Sequence, residues 1–285
     1  MRTLSADGGL AVRALVATEL VREAAERHRT APTASAALGR ALMGAVLLGA
    51  GADEGETVQL QFRGDGPLGP ITAISDHLGR ARGYVANPAA HPPPVGGKLD
   101  VGTAVGQGAL AVVRYHPSWR EPYTGIVPLV SGEIAEDIAH YLAVSEQTPS
   151  VFAAGVFVES DGTVSAAGAY LVQTLPGVDE SVVAHLEATV RALPPPTALV
   201  RSGVAADGLV DALLAGLGAR ARTRSQPRFY CACSTEKIRR VVALLGRGER
   251  REIASGREPL EVRCEFCAAE YRLAPDEVGA LLPDA

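Results

Sequence analysis

All four cysteines of this 285-residue chain lie in its last fifth, and their placement constrains the fold more than any other feature. They form a C-x-C pair, Cys231 and Cys233, and a C-x-x-C pair, Cys264 and Cys267. Four thiolates complete a tetrahedral zinc site, and a C-x-x-C turn between two strand-like segments is typical of a zinc knuckle. None of the six histidines lies beyond His185, so we expect a four-cysteine site with one zinc ion per chain. An iron–sulfur cluster and four unrelated core cysteines are the alternative interpretations.

The segment that carries these cysteines, residues 229–285, is too short to form a large hydrophobic core, and a metal would stabilise it. Ser234 is placed to cap a helix, which would put Cys233 beside a helix N-terminus, where the dipole favours a thiolate. The expected apolar stripe of this helix is Ile238, Val241, Val242 and Leu245. Cationic residues that could also favour thiolates lie nearby in sequence: Lys237, Arg239, Arg240, Arg263 and Arg272. The pattern leaves open whether the zinc is structural or part of a redox switch.

The composition favours a cytoplasmic protein with no membrane span. Hydrophobic residues make up 47% of the chain, which is ample for a core. The N-terminal sequence lacks the pattern of a signal peptide. The most apolar run, Ala37–Ala52, is too short to cross a bilayer and contains Arg40, so it predicts a buried helix. Thiols stay reduced in the cytoplasm, which favours a metal or redox role over structural disulfides.

Hydrophobic periodicity predicts an α+β core domain over residues 1–177. A helical pattern runs from Leu10 to about Arg29, and an apolar helix follows from Ala34 to about Ala50. The alternating TVQLQFR predicts a strand, and the segments ITAISD, ARGYVAN and ALAVVRYH predict further strands with short Gly/Pro connections. Helical spacing returns in SGEIAEDIAHYLAVSEQ, and a hairpin is expected around Ser160-Asp161-Gly162.

Residues 178–228 are predicted to form an amphipathic helical linker. One helix is expected from Asp179 to Leu193, before a run of three prolines, and a second near Leu209–Leu217. Helices this short must dock on another part of the protein. The segment is either an ordinary extension of the core or a detachable linker. Its apolar residues are candidates for binding partner proteins: Leu186, Leu193, Leu213 and Leu217.

The charge is uneven along the chain. Residues 1–218 carry 14 Lys/Arg and 22 Asp/Glu, a net of −8, whereas residues 219–285 carry 13 and 10, a net of +3. A four-cysteine zinc site in a basic tail suggests a zinc-ribbon nucleic-acid-binding protein as an alternative function. The tail lacks interleaved aromatics, which disfavours it. The C-x-x-C motif also suggests a thiol–disulfide oxidoreductase, but no thioredoxin-like βαβ pattern surrounds it.

Beyond the cysteines, long stretches of the chain resemble the heat shock protein 33 family, the redox-regulated holdase chaperones of bacteria. CACS and CEFC match its cysteine pattern. The resemblance extends through FRGDGPLGPI, RGYVANP, LDVGTAVGQGALAVVRY, PYTGIVPLVSGEIAEDIAHYLAVSEQTPS and AGAYLVQTLPG, so that it covers nearly the whole chain. One departure is Ala169, where we expect a second glycine in a core turn.

The resemblance implies a mechanism. The reduced, inactive protein holds zinc through the four cysteines. Peroxide or hypochlorite with mild heat joins Cys231 to Cys233 and Cys264 to Cys267, zinc leaves, and the tail and linker unfold. The exposed apolar surface then binds unfolding client proteins without ATP, and activation is accompanied by homodimerisation. The protein is therefore not expected to be an enzyme.

Two other motifs have structural interpretations. The glycines of GDGPLGP predict a tight turn between strands, since no helix follows to form a phosphate loop. The acids Glu133, Glu136 and Asp137 near His140 resemble a catalytic group, but acids in the first turn of a helix explain them. We expect no catalytic residues here.

Overall fold

A computed structural model describes residues 1–281 and divides the chain into two compact units, Met1–Tyr230 and a second that begins at Cys231. The first unit contains strands β1 (Arg2–Leu4), β2 (Leu10–Val16), β3 (Thr57–Gly64), β4 (Ile71–Asp76), β5 (Arg80–Val85), β6 (Gly108–Tyr115), β7 (Tyr123–Pro128), β8 (Ser150–Val158), β9 (Val164–Thr174) and β10 (Arg228–Phe229). Its helices are α1 (Thr18–His28), α2 (Pro32–Gly49), α3 (Val101–Val105), α4 (Ala135–Val144), α5 (Glu180–Ala192), α6 (Pro196–Arg201) and α7 (Ala206–Leu213).

These strands form two sheets, which confirms the α+β class. One has the order β1-β2-β9-β8 and is antiparallel throughout. The other has the order β10-β5-β4-β3-β6-β7, and only the β10–β5 pair is parallel. The alternation expected in β3 is confirmed, because Val58, Leu60 and Phe62 are fully buried. The hairpin of β8 and β9 is also confirmed.

Helix α2 packs against strands of both sheets and forms the centre of the core. Every residue of the helix except Pro32 and Arg40 is buried, as expected for a helix that is apolar on all sides. Small residues make this close packing possible. A Cβ added at Gly44 would clash with Cδ1 of Ile138, so a larger side chain there would displace α4.

Three expectations about the first unit are wrong. Leu10–Val16 is a strand, and the helix begins only at Thr18. The spacing of Leu10, Ala14, Ala17 and Val21 is helical, but Leu10, Val12 and Ala14 also alternate as in a strand, so periodicity alone could not separate the two. The second linker helix spans Ala206–Leu213 and ends before Gly216, whose φ is +79°. Ala169 lies within β9, not in a turn.

The helices of the segment 178–228 cover the outer face of the first sheet. The first helix, α5, spans Glu180–Ala192 as expected, and Pro196 starts α6 at a position where proline is tolerated. Side chains from the sheet and from these helices form one buried cluster: Leu10, Val12, Ala14, Tyr170, Val172, Leu186, Leu209, Val210, Leu213 and Leu214. The linker helices are therefore docked in this structure, and Leu186 and Leu213 are buried.

The second unit has a much smaller core. It contains α8 (Thr235–Ala243), α9 (Arg247–Ser255), β11 (Leu260–Arg263), β12 (Glu270–Leu273) and α10 (Pro275–Gly279). Its buried aliphatic cluster consists of Ile238, Val242, Leu273 and Val278. The predicted stripe of α8 is only half buried, because Val241 is 58% exposed and Leu245 is 37% exposed.

Candidate metal centre

The C-x-x-C pair lies in the turn between β11 and β12, which pair in an antiparallel hairpin. The Cys264 amide donates to the Ala269 carbonyl at 2.9 Å, and the Ala268 amide donates to the Cys264 carbonyl at 2.8 Å. Ala268 has a φ of +56°, a conformation that costs a non-glycine residue free energy. This tight turn directs both sulfur atoms to the same side, as the knuckle pattern predicts.

The C-x-C pair lies in extended chain just before α8. Ser234 is the N-cap of this helix, and its hydroxyl accepts from the Lys237 amide at 3.3 Å. The predicted cap is therefore confirmed. Because the chain is extended at Ser234 rather than helical, Cys231 and Cys233 precede the helix instead of lying on its side.

The structure brings all four predicted cysteines together. Their sulfur atoms lie within 4.8 Å of one another, and no disulfide joins them. Two of the distances between the C-x-C and C-x-x-C pairs are 3.2 Å, from Cys233 Sγ to Cys267 Sγ, and 3.9 Å, from Cys231 Sγ to Cys264 Sγ. Cys267 is buried, and the other three are partly exposed. The set offers four soft ligands around one point with access from solvent.

Tyr271 contacts this cluster, a contact that the sequence patterns do not predict. Its hydroxyl donates a hydrogen bond to Cys233 Sγ at 2.9 Å. Tyr271 pairs with Val262 across the β11–β12 hairpin, four residues beyond Cys267. The alternation of the strand could have shown which face Tyr271 occupies. It could not have shown that this face carries a sulfur atom from a segment more than thirty residues earlier.

The pKa values of three of the thiols are shifted, and not all in the same direction. Burial raises the pKa of both Cys231 and Cys267. Burial also opposes ionisation of Cys233, but hydrogen bonds from Tyr271 and the neighbouring thiols outweigh it and lower its pKa to about 7. The same bond to Cys233 raises the pKa of Tyr271 to about 12, so the phenol remains the donor at neutral pH. Cys233 is therefore the thiol best prepared to act as a thiolate.

The expected role of nearby cations is not supported. Three of the five basic residues pair with carboxylates: Arg239 with Glu277, Arg240 with Glu236, and Arg272 with Glu261. The low pKa of Cys233 comes from hydrogen bonds instead. Arg239, Arg240 and Arg272 face carboxylates because strand and helix geometry, not adjacency in sequence, decides which side chains meet.

The acidic group at the start of α4 has structural roles. The Asp137 carboxylate is buried and accepts from the amides of Val130 at 2.8 Å and Ile134 at 3.0 Å, which fixes the loop before the helix. Glu133 forms an ion pair with Arg40 of α2. These contacts fit the expectation that the acids stabilise a helix start.

Comparisons with known proteins agree on one family. The family model described as Hsp33 protein matches residues 1–274. The chain is 40% identical over 281 residues to the 33 kDa chaperonin of Geobacter sulfurreducens, an alignment that covers 99% of this chain and 93% of that protein. It is 44% identical to the 33 kDa chaperonin of Thermus thermophilus, over 100% of this chain and 86% of that one.

The fold agrees as well. The crystal structure of the 33 kDa chaperonin from Thermotoga maritima superposes with a TM-score of 0.91 at 34% identity, over 98% of this chain and 96% of that one. Within residues 1–281, no helix is long and apolar enough to cross a membrane.

Proposed function

Because the chain belongs to the heat shock protein 33 family of redox-regulated chaperones, we propose that its four cysteines are the sensor of a zinc-dependent switch. Cys231, Cys233, Cys264 and Cys267 hold one zinc ion in the reduced protein, and their oxidation activates binding of unfolding proteins. The observation that carries this proposal is the approach of all four sulfur atoms to within 4.8 Å of one another.

The cysteine cluster suits zinc in both chemistry and size. Four thiolates are a common donor set for tetrahedral zinc. Zn–S bonds of about 2.3 Å place the sulfur atoms of a tetrahedral site about 3.8 Å apart. The sulfur–sulfur distances of 3.2 and 3.9 Å lie near that value, and all four sulfur atoms lie within 4.8 Å of one another. When bound, zinc crosslinks the segment before α8 to the β11–β12 hairpin and keeps the thiols ionised.

We propose peroxide or hypochlorite as the oxidant. With peroxide, each disulfide forms as two thiols release two electrons and two protons, and the O–O bond breaks to give two water molecules. Following the family resemblance, the disulfides are Cys231–Cys233 and Cys264–Cys267. Each removes two ligands at once, so the metal leaves. Since sulfur atoms of different pairs also lie close together, at 3.2 and 3.9 Å, the pairing needs its own test by mass spectrometry of the oxidised peptides.

Loss of zinc should unfold the second unit. Its four buried aliphatic residues supply little hydrophobic stabilisation, whereas zinc binding contributes roughly 10–16 kcal/mol of apparent folding free energy in small zinc domains. In the active state we propose that residues 178–228 also leave the first sheet. Their apolar side chains would then be available to clients: Leu186, Leu193, Leu213 and Leu217.

Four further properties belong to this proposal. The protein works in the cytoplasm, where its thiols remain reduced until an oxidant appears. Activation is accompanied by homodimerisation. Client binding needs no ATP, and the protein is not an enzyme in the sense of catalytic turnover.

The test follows zinc and chaperone activity in one cuvette. Reduced protein is exposed to peroxide at mild heat, zinc release is read with a chromogenic chelator, and aggregation of a chemically unfolded client is read by light scattering. Release of about one zinc per chain, followed by suppression of client aggregation, supports the proposal. Retained zinc, or release without any suppression, contradicts it.

The family match disfavours a zinc-ribbon nucleic-acid binder. Such a protein would bind DNA or RNA in its zinc form, with an affinity that falls steeply as salt rises. A thiol–disulfide oxidoreductase would reduce insulin. Both assays separate these activities from a holdase, which needs oxidation and does not turn over.

A further inference from the structure

A second site of interest lies in the first unit, in an open cleft of about 430 Å³. Its lining includes three arginines, Arg2, Arg13 and Arg220, and no carboxylate. In the part of the chain that the structure describes, none of the three forms an ion pair. A cleft with three arginines that form no ion pair attracts anions.

Two of these cations face each other directly. Arg2 on β1 and Arg13 on β2 are cross-strand partners in the antiparallel register. Like charges placed opposite each other in a sheet destabilise it. Burial lowers the pKa of Arg13, and the nearby Arg114 and Arg2 lower it further. Glu146 has the opposite effect but is itself paired with Arg114 at 2.7 Å.

The arginines are held in place by neutral oxygens. Arg2 donates to the Ala50 carbonyl at 3.1 Å, and Arg13 donates to the Leu47 carbonyl at 3.4 Å and to Gln173 Oε1 at 3.0 Å. The carbonyls belong to the C-terminal end of α2, whose dipole amounts to about half a negative charge. That is too little to balance two guanidinium groups.

The third arginine approaches from a different segment. We call residues 219–225 the connector. Arg220 Nε donates to the Ala6 carbonyl at 3.1 Å, another neutral oxygen. The nearest acid that influences it, Asp7, accepts from Ser5 and from the Gly9 amide.

The connector forms one wall of the cleft and pairs with β1. The Arg220 amide donates to the Leu4 carbonyl at 2.9 Å, and Arg2 and Thr223 exchange two backbone hydrogen bonds of 3.0 and 2.9 Å. The Thr3 hydroxyl adds bonds to the Arg220 and Ala221 carbonyls at 3.0 and 3.3 Å, while the side chains of Arg220, Ala221 and Thr223 are exposed. An anion in the cleft would therefore touch both the core strands and the connector.

We propose that this cleft binds phosphoryl groups and that the bound anion fastens the connector to β1. Each guanidinium presents several N–H donors in a planar fork that matches phosphate oxygens, and only part of this capacity is used by the neutral anchors. Facing cations favour an anion of charge −2 or more over a monovalent carboxylate. The volume exceeds that of one phosphate group and lies in the range of small-ligand sites, so a short phosphoanhydride chain also fits.

The binding test uses the reduced full-length protein in isothermal titration calorimetry at constant ionic strength. Orthophosphate, tripolyphosphate and acetate, a monovalent carboxylate, are titrated separately. Saturable binding of either phosphate probe at one site per chain is expected, and the tighter of the two identifies free phosphate or a phosphate chain as the ligand. Acetate should bind more weakly than both. Acetate binding as tight as phosphate, or no saturable binding of either phosphate probe, overturns the proposal.

Charge-removing variants locate the site. Arg13→Gln and Arg220→Gln should each weaken binding about ten-fold, because each loses a charge-assisted hydrogen bond. Arg220 is exposed, so its variant carries the test even if the half-buried Arg13→Gln fails to fold. The matched control is Arg63→Gln, which removes an exposed arginine held only by the neutral Gln61 Oε1 at 2.6 Å. If Arg63→Gln weakens phosphate binding equally, the anion is attracted by the overall charge of the protein, and the assignment of the site to this cleft is overturned.

Hydrogen exchange measures whether the bound anion fastens the connector to β1. Saturating tripolyphosphate should slow exchange of the connector amides, among them Arg220 and Thr223, at least two-fold, and leave β3 unchanged. In Arg220→Gln this slowing should disappear. Binding without added protection of the connector would contradict the proposed fastening.

Discussion

The two units of this molecule are stabilised in different ways. The first surrounds an apolar eighteen-residue helix, α2, with two sheets, and it contains no cysteine that an oxidant could change. The second buries four aliphatic side chains and gathers four thiols that can hold a metal. Hydrocarbon side chains have no redox chemistry, whereas a site made of thiolates can be dismantled by an oxidant. We therefore propose that the first unit keeps its fold in both redox states and that the second is folded only while its thiols are reduced.

The largest effect should follow from removing a ligand. Cys264→Ser is expected to reduce bound zinc from about one ion per chain to nearly none, since serine is a poor zinc ligand. The second unit should then become sensitive to trypsin, while a fragment close to residues 1–230 survives. Ser255→Ala, which removes an exposed hydroxyl in the same unit, should change neither property. If Cys264→Ser still binds one zinc ion per chain and resists trypsin, the second unit does not depend on its four cysteines for its fold.

A substitution in the core of the first unit should lower its stability and leave zinc binding unchanged. Leu42 is fully buried in α2, so Leu42→Ala should lower the free energy of unfolding of the first unit by about 2–5 kcal/mol. Urea denaturation followed by circular dichroism would measure it, and zinc content should stay unchanged. Leu244→Ala, at a residue that is 85% exposed, serves as the control and should cost less than about 0.5 kcal/mol. Zinc loss from the folded Leu42→Ala protein would show that the metal site of the second unit depends on the core of the first.

Removal of the hydrogen bond to Cys233 should weaken zinc binding, but less than removal of a cysteine ligand. Tyr271→Phe keeps the ring and removes only the hydroxyl donor, so zinc affinity should fall roughly 10- to 100-fold, as for other outer-sphere partners. Competition with a chelator measures it. Loss of the bond should also raise the pKa of Cys233 from about 7. Tyr230→Phe, which changes a tyrosine outside the cysteine cluster, is the control. Equal zinc affinities of the two variants would show that the Tyr271 hydroxyl does not stabilise the metal site.

The smallest expected effect concerns pH and the connector. The hydrogen bond from Arg224 to Asp207, at 3.0 Å, lowers the pKa of Asp207, and a second bond from Arg222 adds to it. A carboxyl whose pKa is lower in the folded state stabilises the fold above its unfolded pKa of about 3.9, and the effect is lost as pH falls through the folded value. Asp207→Asn should therefore speed exchange of connector amides at pH 7 and make a smaller difference at pH 3.

Asp161→Asn is the matched control for that measurement. Hydrogen bonds with Thr163 also lower the pKa of Asp161, but it lies in the β8–β9 turn, so the connector should not respond. An equal effect of Asp207→Asn at both pH values would exclude the ion pairs as its cause.

Much of this arrangement could be predicted from the sequence because its signals are local. The alternation of β3, the turn at Ser160-Asp161-Gly162 and the cap at Ser234 each depend on a few neighbouring residues. The four cysteines could be assigned to one site because sulfur ligands are scarce elsewhere in the chain.

Other features depend on contacts that local patterns do not record. The prediction of a helix over Leu10–Val16 is wrong because the apolar residues there fit both periods, and only the pairing of this strand with β9 decides between them. Tyr271 reaches Cys233 across 38 positions of sequence. The facing pair of Arg2 and Arg13 exists only through the register of β1 and β2.

The most direct test of the account is hydrogen exchange, read by mass spectrometry, on the reduced protein before and after zinc is removed by a chelator under reducing conditions. We expect peptides from residues 231–281 to lose nearly all protection, while peptides from α2 and β3 exchange at unchanged rates. Restoring zinc should restore protection. If the second unit stays protected without zinc, its fold does not depend on the metal, and oxidation of the cysteines cannot act by unfolding it.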